Sequence, residues 1–297
     1  MMRDSFSTFH PIINFTYFIA VIVFSMFFMH PAFQGIAFIS AFTYSLMIKG
    51  KSGLKFNILY MLPMLLFMAM INPAFNHAGV TILFYLKSGN PITFESIIYG
   101  ISAAFMFITV ILWFSCYNSV MTSDKFIYLF GRVIPALSLI FSMVLRFVPR
   151  YIEQIKVISN AQKCIGRDIS QGNIIKRAKN GIKILSIMAT WALENAIETA
   201  DSMKSRGYGL PGRTSFSIFR FDNRDKVIFG VMIGLIGIVL VGAAMGQNTI
   251  RFFPSIKIVN ITVFSVLIYI SYFILCMIPV IINIQEAIKW KHIESRI

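Results

Sequence analysis

Charge is scarce in this sequence. Only 13% of its 297 residues are Asp, Glu, Lys or Arg, against ~25% in soluble domains. A chain that poor in charge is neither a soluble enzyme nor a disordered segment. Cysteine is scarcer still: Cys116, Cys164 and Cys276 stand far apart, too scattered for a metal site or a disulfide framework. The histidines His10, His30, His77 and His292 show no i,i+4 spacing, so no metal-ligand set is expected. Neither a Walker motif nor a glycine-rich phosphate loop occurs. The chain cannot hydrolyse ATP by itself, and no cofactor is expected. The first apolar run has no small-residue cleavage site after it, so it reads as a retained helix rather than a signal peptide.

Apolar residues fill the space that charge leaves. The sequence is 57% hydrophobic, with 30 Phe and 17 Met. A spanning helix needs about 20 mostly apolar residues, and six runs approach or reach that length: Ile12–Met29, Pro31–Ile48, Phe56–Phe75, Ser96–Val120, Val227–Met245 and Ile258–Ile282. The expected fold is an all-α integral membrane protein with about six transmembrane helices. None of the six runs contains Asp, Glu, Lys or Arg. Intramembrane ionisable residues mark proton relays and ion pathways, so their absence weighs against the alternative of a standalone membrane enzyme or channel.

Charge also orients the chain. The formal net charge is +15, and the basic residues are unevenly spread. Lys49, Lys51 and Lys55 lie between the second and third runs, whereas residues 76–95 carry only Lys87. Residues 121–226 hold most of the remainder, and Lys289, Lys291 and Arg296 follow the last run. Basic segments stay inside. This places both termini and the large central block in the cytoplasm of a multi-pass cell-membrane protein, with Arg251 and Lys257 as an outnumbered exception. Three regions follow: residues 1–120 with four spans, 121–226 as a cytoplasmic block, and 227–297 with two spans and a tail. Within the outer segment, Val80–Phe94 carries a strand–turn–strand pattern but is expected to be an ordered surface loop. Gly230–Gly234 and Gly242–Gly246 give two GxxxG spacings, a helix-packing signal of modest specificity.

The central block is helical but too charged to span, apart from Val133–Val148. Pro135 and Pro149 are expected to break it into segments. After Pro149, Ile152, Ile155, Ile158 and Ala161 repeat at helical spacing and give a helix with one dry face. Gly166 stops it. Asn173 is a suitable cap for a second helix. Its apolar positions Ala178, Ile182, Leu185, Ala189, Ala192, Ala196, Ala200 and Met203 form a seam rich in Ala. Small residues admit close backbone approach, so the two helices are expected to cross at Ala189, Ala192 and Ala196. Gly207 or Gly209 ends the second helix. The acidic line Glu194, Glu198 and Asp201 is expected to pair with basic neighbours such as Arg177 or Lys183, or with the basic inner face. Trp113, Trp191 and Trp290 read as anchors or packing.

The two helix ends, Ala161-Gln-Lys-Cys-Ile-Gly166 and Ala200-Asp-Ser-Met-Lys-Ser-Arg-Gly-Tyr208, together with Leu145-Arg-Phe-Val-Pro149, resemble the transmembrane coupling subunit (T component) of energy-coupling factor transporters. These are ABC-type importers of vitamins and transition-metal ions. The resemblance is densest over Ser123–Gly209. It implies a cytoplasmic pair of crossed coupling helices, each carrying an Ala-Arg-Gly signature at its end. The second signature stands here as Ser205-Arg206-Gly207. The first stands as Cys164-Ile165-Gly166, which has lost its Arg; Arg167 follows directly. The resemblance further implies two ATP-binding cassette ATPase subunits and a small hydrophobic substrate-binding membrane subunit as partners, and a vitamin or other micronutrient as cargo.

Orientation is directly testable by labelling. With the central block inside, a Cys introduced at Gln171 should react only from the cytoplasmic side. A Cys at Ser88 should react with an impermeant reagent from outside, and the reverse pattern would refute the charge-based orientation.

Overall fold

A computed structural model describes residues 4–85, 89–131, 134–210, 219–258 and 261–294. The described elements are a 3-10 turn at Phe6–Thr8, α1 (Pro11–Phe27), α2 (Pro31–Phe75), β1 (Ile82–Tyr85), β2 (Pro91–Thr93), α3 (Phe94–Val120), α4 (Ser123–Gly131), α5 (Pro135–Cys164), α6 (Ile174–Ser205), α7 (Asn223–Ala244), β3 (Ile250–Arg251), β4 (Lys257–Ile258) and α8 (Val263–Glu294). They divide into two compact units. One joins Met1–Phe126 to Phe219–Ile297, and the other is Ile127–Ile218.

The first unit is the membrane unit. Pro31–Gly50, Phe94–Val120, Asn223–Ala244 and Val263–Glu294 are long and apolar enough to cross a bilayer, while Pro11–Phe27 and Pro63–Phe75 are apolar but shorter. The protein is an all-α integral membrane protein. Two of the expected spans are halves of one element: α2 is interrupted only at Gly50, which has φ 58° and ψ −144°. A residue without Cβ takes that conformation at little steric cost, so the chain turns there without a loop. Helix α8 continues past the expected end at Ile282 to Glu294, with Pro279 inside it.

Its core is aromatic. Phe6 meets Tyr17 edge-on at 5.1 Å, and Tyr17 meets Trp113 edge-on at 6.0 Å. Pairs of this kind add about 0.5–1.5 kcal/mol beyond their area burial. The fully buried Tyr17 hydroxyl donates to the Cys276 carbonyl at 2.8 Å, which joins α1 to α8. Phe27, Phe67, Met70 and Phe75 are exposed, as lipid-facing side chains should be.

The N-terminal segment ties the helix ends together, and the sequence pattern did not signal it. Asn283 donates from Nδ2 to Asp4 Oδ1 at 2.7 Å and accepts from the Ser5 amide at 2.7 Å. The Tyr44 hydroxyl donates to Asp4 Oδ2 at 3.2 Å. Lys125 is buried and donates from Nζ to the carbonyls of Ser7 and Val120. Burial pulls its ammonium below the ordinary lysine range, with Asp4 opposing the shift. Arg224 pairs with Glu286 at 3.3 Å, donates to Thr8 Oγ1 at 3.2 Å and lies 4.2 Å from the centre of the Phe9 ring.

Two expectations about breaks and packing need correction. Pro135 begins α5 as expected, but Pro149 lies inside the helix and does not end it. An internal proline removes one hydrogen bond and costs ~3 kcal/mol, which thirty helical residues can outweigh. Of the four glycines in the GxxxG spacings, only Gly242 makes a close approach. A Cβ there would lie 2.5 Å from Ile268 Cδ1, whereas Gly230 and Gly234 face open space and Gly246 has φ +78°. The outer segment forms antiparallel strands β1 and β2 rather than a plain surface loop, with Ile82 opposite Thr93 and Tyr85 opposite Pro91; the start of the expected turn at Ser88 lies outside the described residues.

A close contact that no GxxxG spacing announced joins α3 to α2. A Cβ on Gly100 would stand 2.7 Å from the Ala69 carbonyl oxygen, a backbone atom that cannot step aside. Gly100→Ala should therefore destabilise the purified protein by about 1–3 kcal/mol, as overpacked contacts do. Gly237→Ala meets nothing within 4 Å and should be neutral or slightly stabilising. Thermal unfolding of both variants in detergent checks the contrast.

Candidate functional site

Within Ile127–Ile218, α5 and α6 pack on each other. Ile158, Ile184 and Met188 are buried, with Tyr151, Ile169, Ile187 and Trp191 against them. On α6 the contact residues Ile184, Ile187, Met188 and Trp191 fall at i, i+3, i+4 and i+7, one face of a helix. Tyr151 meets Trp191 edge-on at 5.5 Å, and the Arg150 guanidinium lies 5.6 Å from the centre of the Trp191 ring.

This contact face differs from the expected one. Ala189 and Ala196 are exposed and Ala192 is only half-buried. Ile182 and Leu185 are 67% and 63% exposed. The buried contact uses the bulky Ile184, Met188 and Trp191 because they remove far more apolar area from water than Ala does. On α5, Ile158 is buried as expected, but Ile152, Ile155 and Ala161 are exposed. Tyr151 stands in for them, one residue around the helix.

The two helix ends are built alike. At the end of α5, Gly166 has φ +75°; its amide donates to the Lys163 carbonyl at 3.0 Å, and the Arg167 amide donates to the Gln162 carbonyl at 2.9 Å. At the end of α6, Gly207 has φ +78°; its amide donates to the Lys204 carbonyl at 2.9 Å, and the Tyr208 amide donates to the Met203 carbonyl at 3.0 Å. Both are Schellman caps, in which a left-handed glycine satisfies the last helical carbonyls. Aligned by these bonds, Cys164 corresponds to Ser205, Ile165 to Arg206, Gly166 to Gly207 and Arg167 to Tyr208. Gly207, not Gly209, is the stop. Ile165 and Arg206 occupy equivalent backbone positions, and both side chains are exposed, Ile165 by 61%.

The surroundings of the two ends differ. Lys163 pairs with Asp168 at 3.7 Å. The Asp168 carboxylate accepts from the Ser170 hydroxyl at 2.6 Å and from the Ser170 amide at 3.0 Å. Those Ser170 bonds, aided by Lys163, hold its carboxyl below the usual range. Helix α6 closes the same turn, since Arg177 donates to the Ile169 carbonyl at 2.7 Å and Asn180 to the Asp168 carbonyl at 3.0 Å. Asn173 caps α6 by accepting from the Ile174 amide at 2.8 Å. Arg177 is thus engaged with backbone. Glu194, Glu198 and Asp201 are exposed, and among the described residues the ion pairs are Lys163–Asp168 and Arg224–Glu286, neither of which joins the acidic line to Arg177 or Lys183. Arg206 and Lys204 stand exposed at the other end, beside carbonyls whose partial negative charge favours cations. Among the described residues, no group of three His, Cys, Asp or Glu could hold a metal.

The described residues thus comprise an apolar membrane unit and a separate unit of two long packed helices with matched caps. The chain belongs to the CbiQ family of cobalt transport proteins, whose family model matches residues 7–218 and so includes both helix ends. Curated relatives named energy-coupling factor transporter transmembrane protein EcfT are similar to it. The protein from Lactobacillus helveticus is 35% identical over 114 residues, 38% of this chain and 41% of the relative. Those from Leuconostoc gelidum subsp. gasicomitatum and Staphylococcus aureus are 36% identical over 107 residues and 35% identical over 106, covering 36% and 35% of this chain. The chain spans about two fifths of the length of these relatives, 41%, 40% and 40% respectively.

The packing face predicts which substitutions loosen the pair. Ile184→Ala should cost about 2–5 kcal/mol, the range for truncated core aliphatics, and should raise amide exchange along both α5 and α6. Ala196→Leu, on the exposed face, should leave exchange unchanged. Equal effects would restore the alanine seam as the contact.

Proposed function

We propose that this protein is the non-catalytic transmembrane coupling subunit of an energy-coupling factor importer. Its membrane unit holds a small hydrophobic substrate-binding membrane subunit that selects a vitamin or other micronutrient, and the ends of α5 and α6 rest on two ATP-binding cassette ATPases. Both termini and the helical pair lie in the cytoplasm. ATP binding draws the ATPases together, the helix ends follow, and the packed pair carries that motion to the membrane.

The observation that carries this reading is the exposed pair of cations, Lys204 and Arg206, displayed at the capped end of α6. A force-bearing end must hold its shape while it is pushed, and a cap that satisfies the last carbonyls keeps it from fraying. The residue before each glycine is then displayed outward. Arg206 offers a planar fork of donors that stays charged at any physiological pH and suits an acidic seat. Ile165 offers neither charge nor donor and suits an apolar one. Two chemically different ends fit two non-identical ATPase subunits. Arg167, one position beyond the glycine, is the competitor for the missing cation.

Three variants decide the matter. A hydrogen bond to a charged group contributes about 1.5–3 kcal/mol, so losing it weakens docking about tenfold or more. Arg206→Ala should largely abolish ATP-driven uptake and ATPase co-purification. Arg167→Ala should have a mild effect, and Ile165→Arg should impair both readouts by placing an unmatched charge in the apolar seat. If Arg167→Ala proves as damaging as Arg206→Ala, the two seats are alike.

A further inference from the structure

The segment between α2 and α3 is apolar where a water-facing loop would be polar. Val80, Ile82, Leu83, Phe84 and Tyr85 are 68%, 46%, 52%, 56% and 65% exposed. The register with β2 slips at Leu83, but Phe84 and Tyr85 pair in order with Ile92 and Pro91. Successive side chains of a strand point to opposite faces, so Phe84 and Tyr85 lie on the two faces of β1, and both faces are apolar and open. Pairing with β2 covers one edge and neither face. A protein partner seated on such a strand would bury one face and leave the other in water. A medium that surrounds the strand buries both.

The polar groups at its base are arranged for the same medium. Glu95 is 3% exposed; its carboxylate accepts from the Thr81 amide at 3.2 Å and from the Thr81 hydroxyl at 2.8 Å. Thr93 Oγ1 donates to the Ala78 carbonyl at 2.7 Å, and Ser96 Oγ donates to the Asn76 carbonyl at 2.6 Å. The Phe94 amide donates to the Thr81 carbonyl at 3.0 Å. The backbone at the base of the strand is satisfied from within the protein, while the open edge of β1 is left to the water and headgroups of a membrane boundary, since the acyl region admits no open edge. At the two ends of the segment, Phe75, the last residue of α2, and Phe94, the first of α3, are 83% and 45% exposed. They extend the apolar character of those two helices to the ends of the segment that carries the strand.

We propose that β1 is an interfacial anchor that lies in the boundary between headgroups and acyl chains of the lipid surface, at the ends of α2 and α3. Aromatic residues concentrate at that depth in membrane proteins, and Phe84 and Tyr85 supply them here. Insertion follows from the apolar faces and the closed polar base alone. Only its assignment to the outer leaflet rests on the orientation given under Proposed function.

The test uses the full-length chain in nanodiscs of phosphatidylcholine and phosphatidylglycerol. Phe84→Trp and Tyr85→Trp place a reporter on each face. In both variants the emission added over wild type should be blue-shifted. Phospholipids brominated near the glycerol end of the acyl chain should quench it more strongly than those brominated near the methyl end. Added emission in either variant that is red-shifted and quenched by acrylamide overturns the anchor, since water or a one-sided partner then meets that face. Brief hydroxyl-radical oxidation of the unmutated chain gives an independent reading. Phe84 and Tyr85 should oxidise several-fold more slowly than Tyr208, which is 46% exposed; equal or faster oxidation contradicts the proposal.

Discussion

A helix that stops at a surface leaves its last carbonyls without partners, and the coupling account depends on how two helices meet that constraint. Gly166 and Gly207 enter the left-handed region at φ +75° and +78°, and each closes the same pair of backbone bonds. The cap makes the end rigid and leaves the preceding side chain free to vary. The two ends share a backbone and differ in the residue displayed, Ile165 against Arg206. The cap alone is no mark of coupling, because α7 ends the same way: the Gly246 amide donates to the Ala243 carbonyl at 3.0 Å and the Gln247 amide to the Gly242 carbonyl at 3.1 Å. What sets α6 apart is the exposed pair of cations, Lys204 and Arg206, at its last turn.

The membrane unit meets a different constraint. Charges cannot sit in its apolar spans without a large desolvation cost, so they gather at the ends and hold the chain there. Lys125 stands just before the helical pair in the chain and Arg224 just after it. Both reach the same short segment, Lys125 at the Ser7 carbonyl and Arg224 at Thr8 and Phe9. Asp4 and Asn283 fix that segment to α8. Lys125 and Arg224 therefore both bind one N-terminal turn of the membrane unit.

Legibility in the sequence followed the kind of signal. Apolar length and the absence of charge revealed the spans, because lipid imposes those properties residue by residue. Gly166, Gly207 and Asn173 revealed the helix boundaries, because left-handed backbone and amide capping depend on single residue types. Face assignment was harder. The Ala189, Ala192 and Ala196 stripe has helical spacing, but so does the Ile184, Met188 and Trp191 stripe one position away, and only the second is buried against α5. Spacing names the faces of a helix without saying which is covered. Pro149 misled because its local cost is real but smaller than the sum of its neighbours' bonds. The contacts of Asp4, Tyr44, Asn283 and Lys125 join residues more than a hundred positions apart in most cases, and no local pattern carries that information.

The central claim is that this chain transmits motion and catalyses nothing. The most direct measurement is affinity purification of the tagged protein from its native membrane, followed by identification of the co-purifying chains and assay of the eluate. The account predicts two ATPase subunits and a small hydrophobic membrane protein in stable association, with ATP hydrolysis that disappears when the ATPases are stripped away. Recovery of the chain alone, with transport or catalytic activity of its own in liposomes, would contradict it.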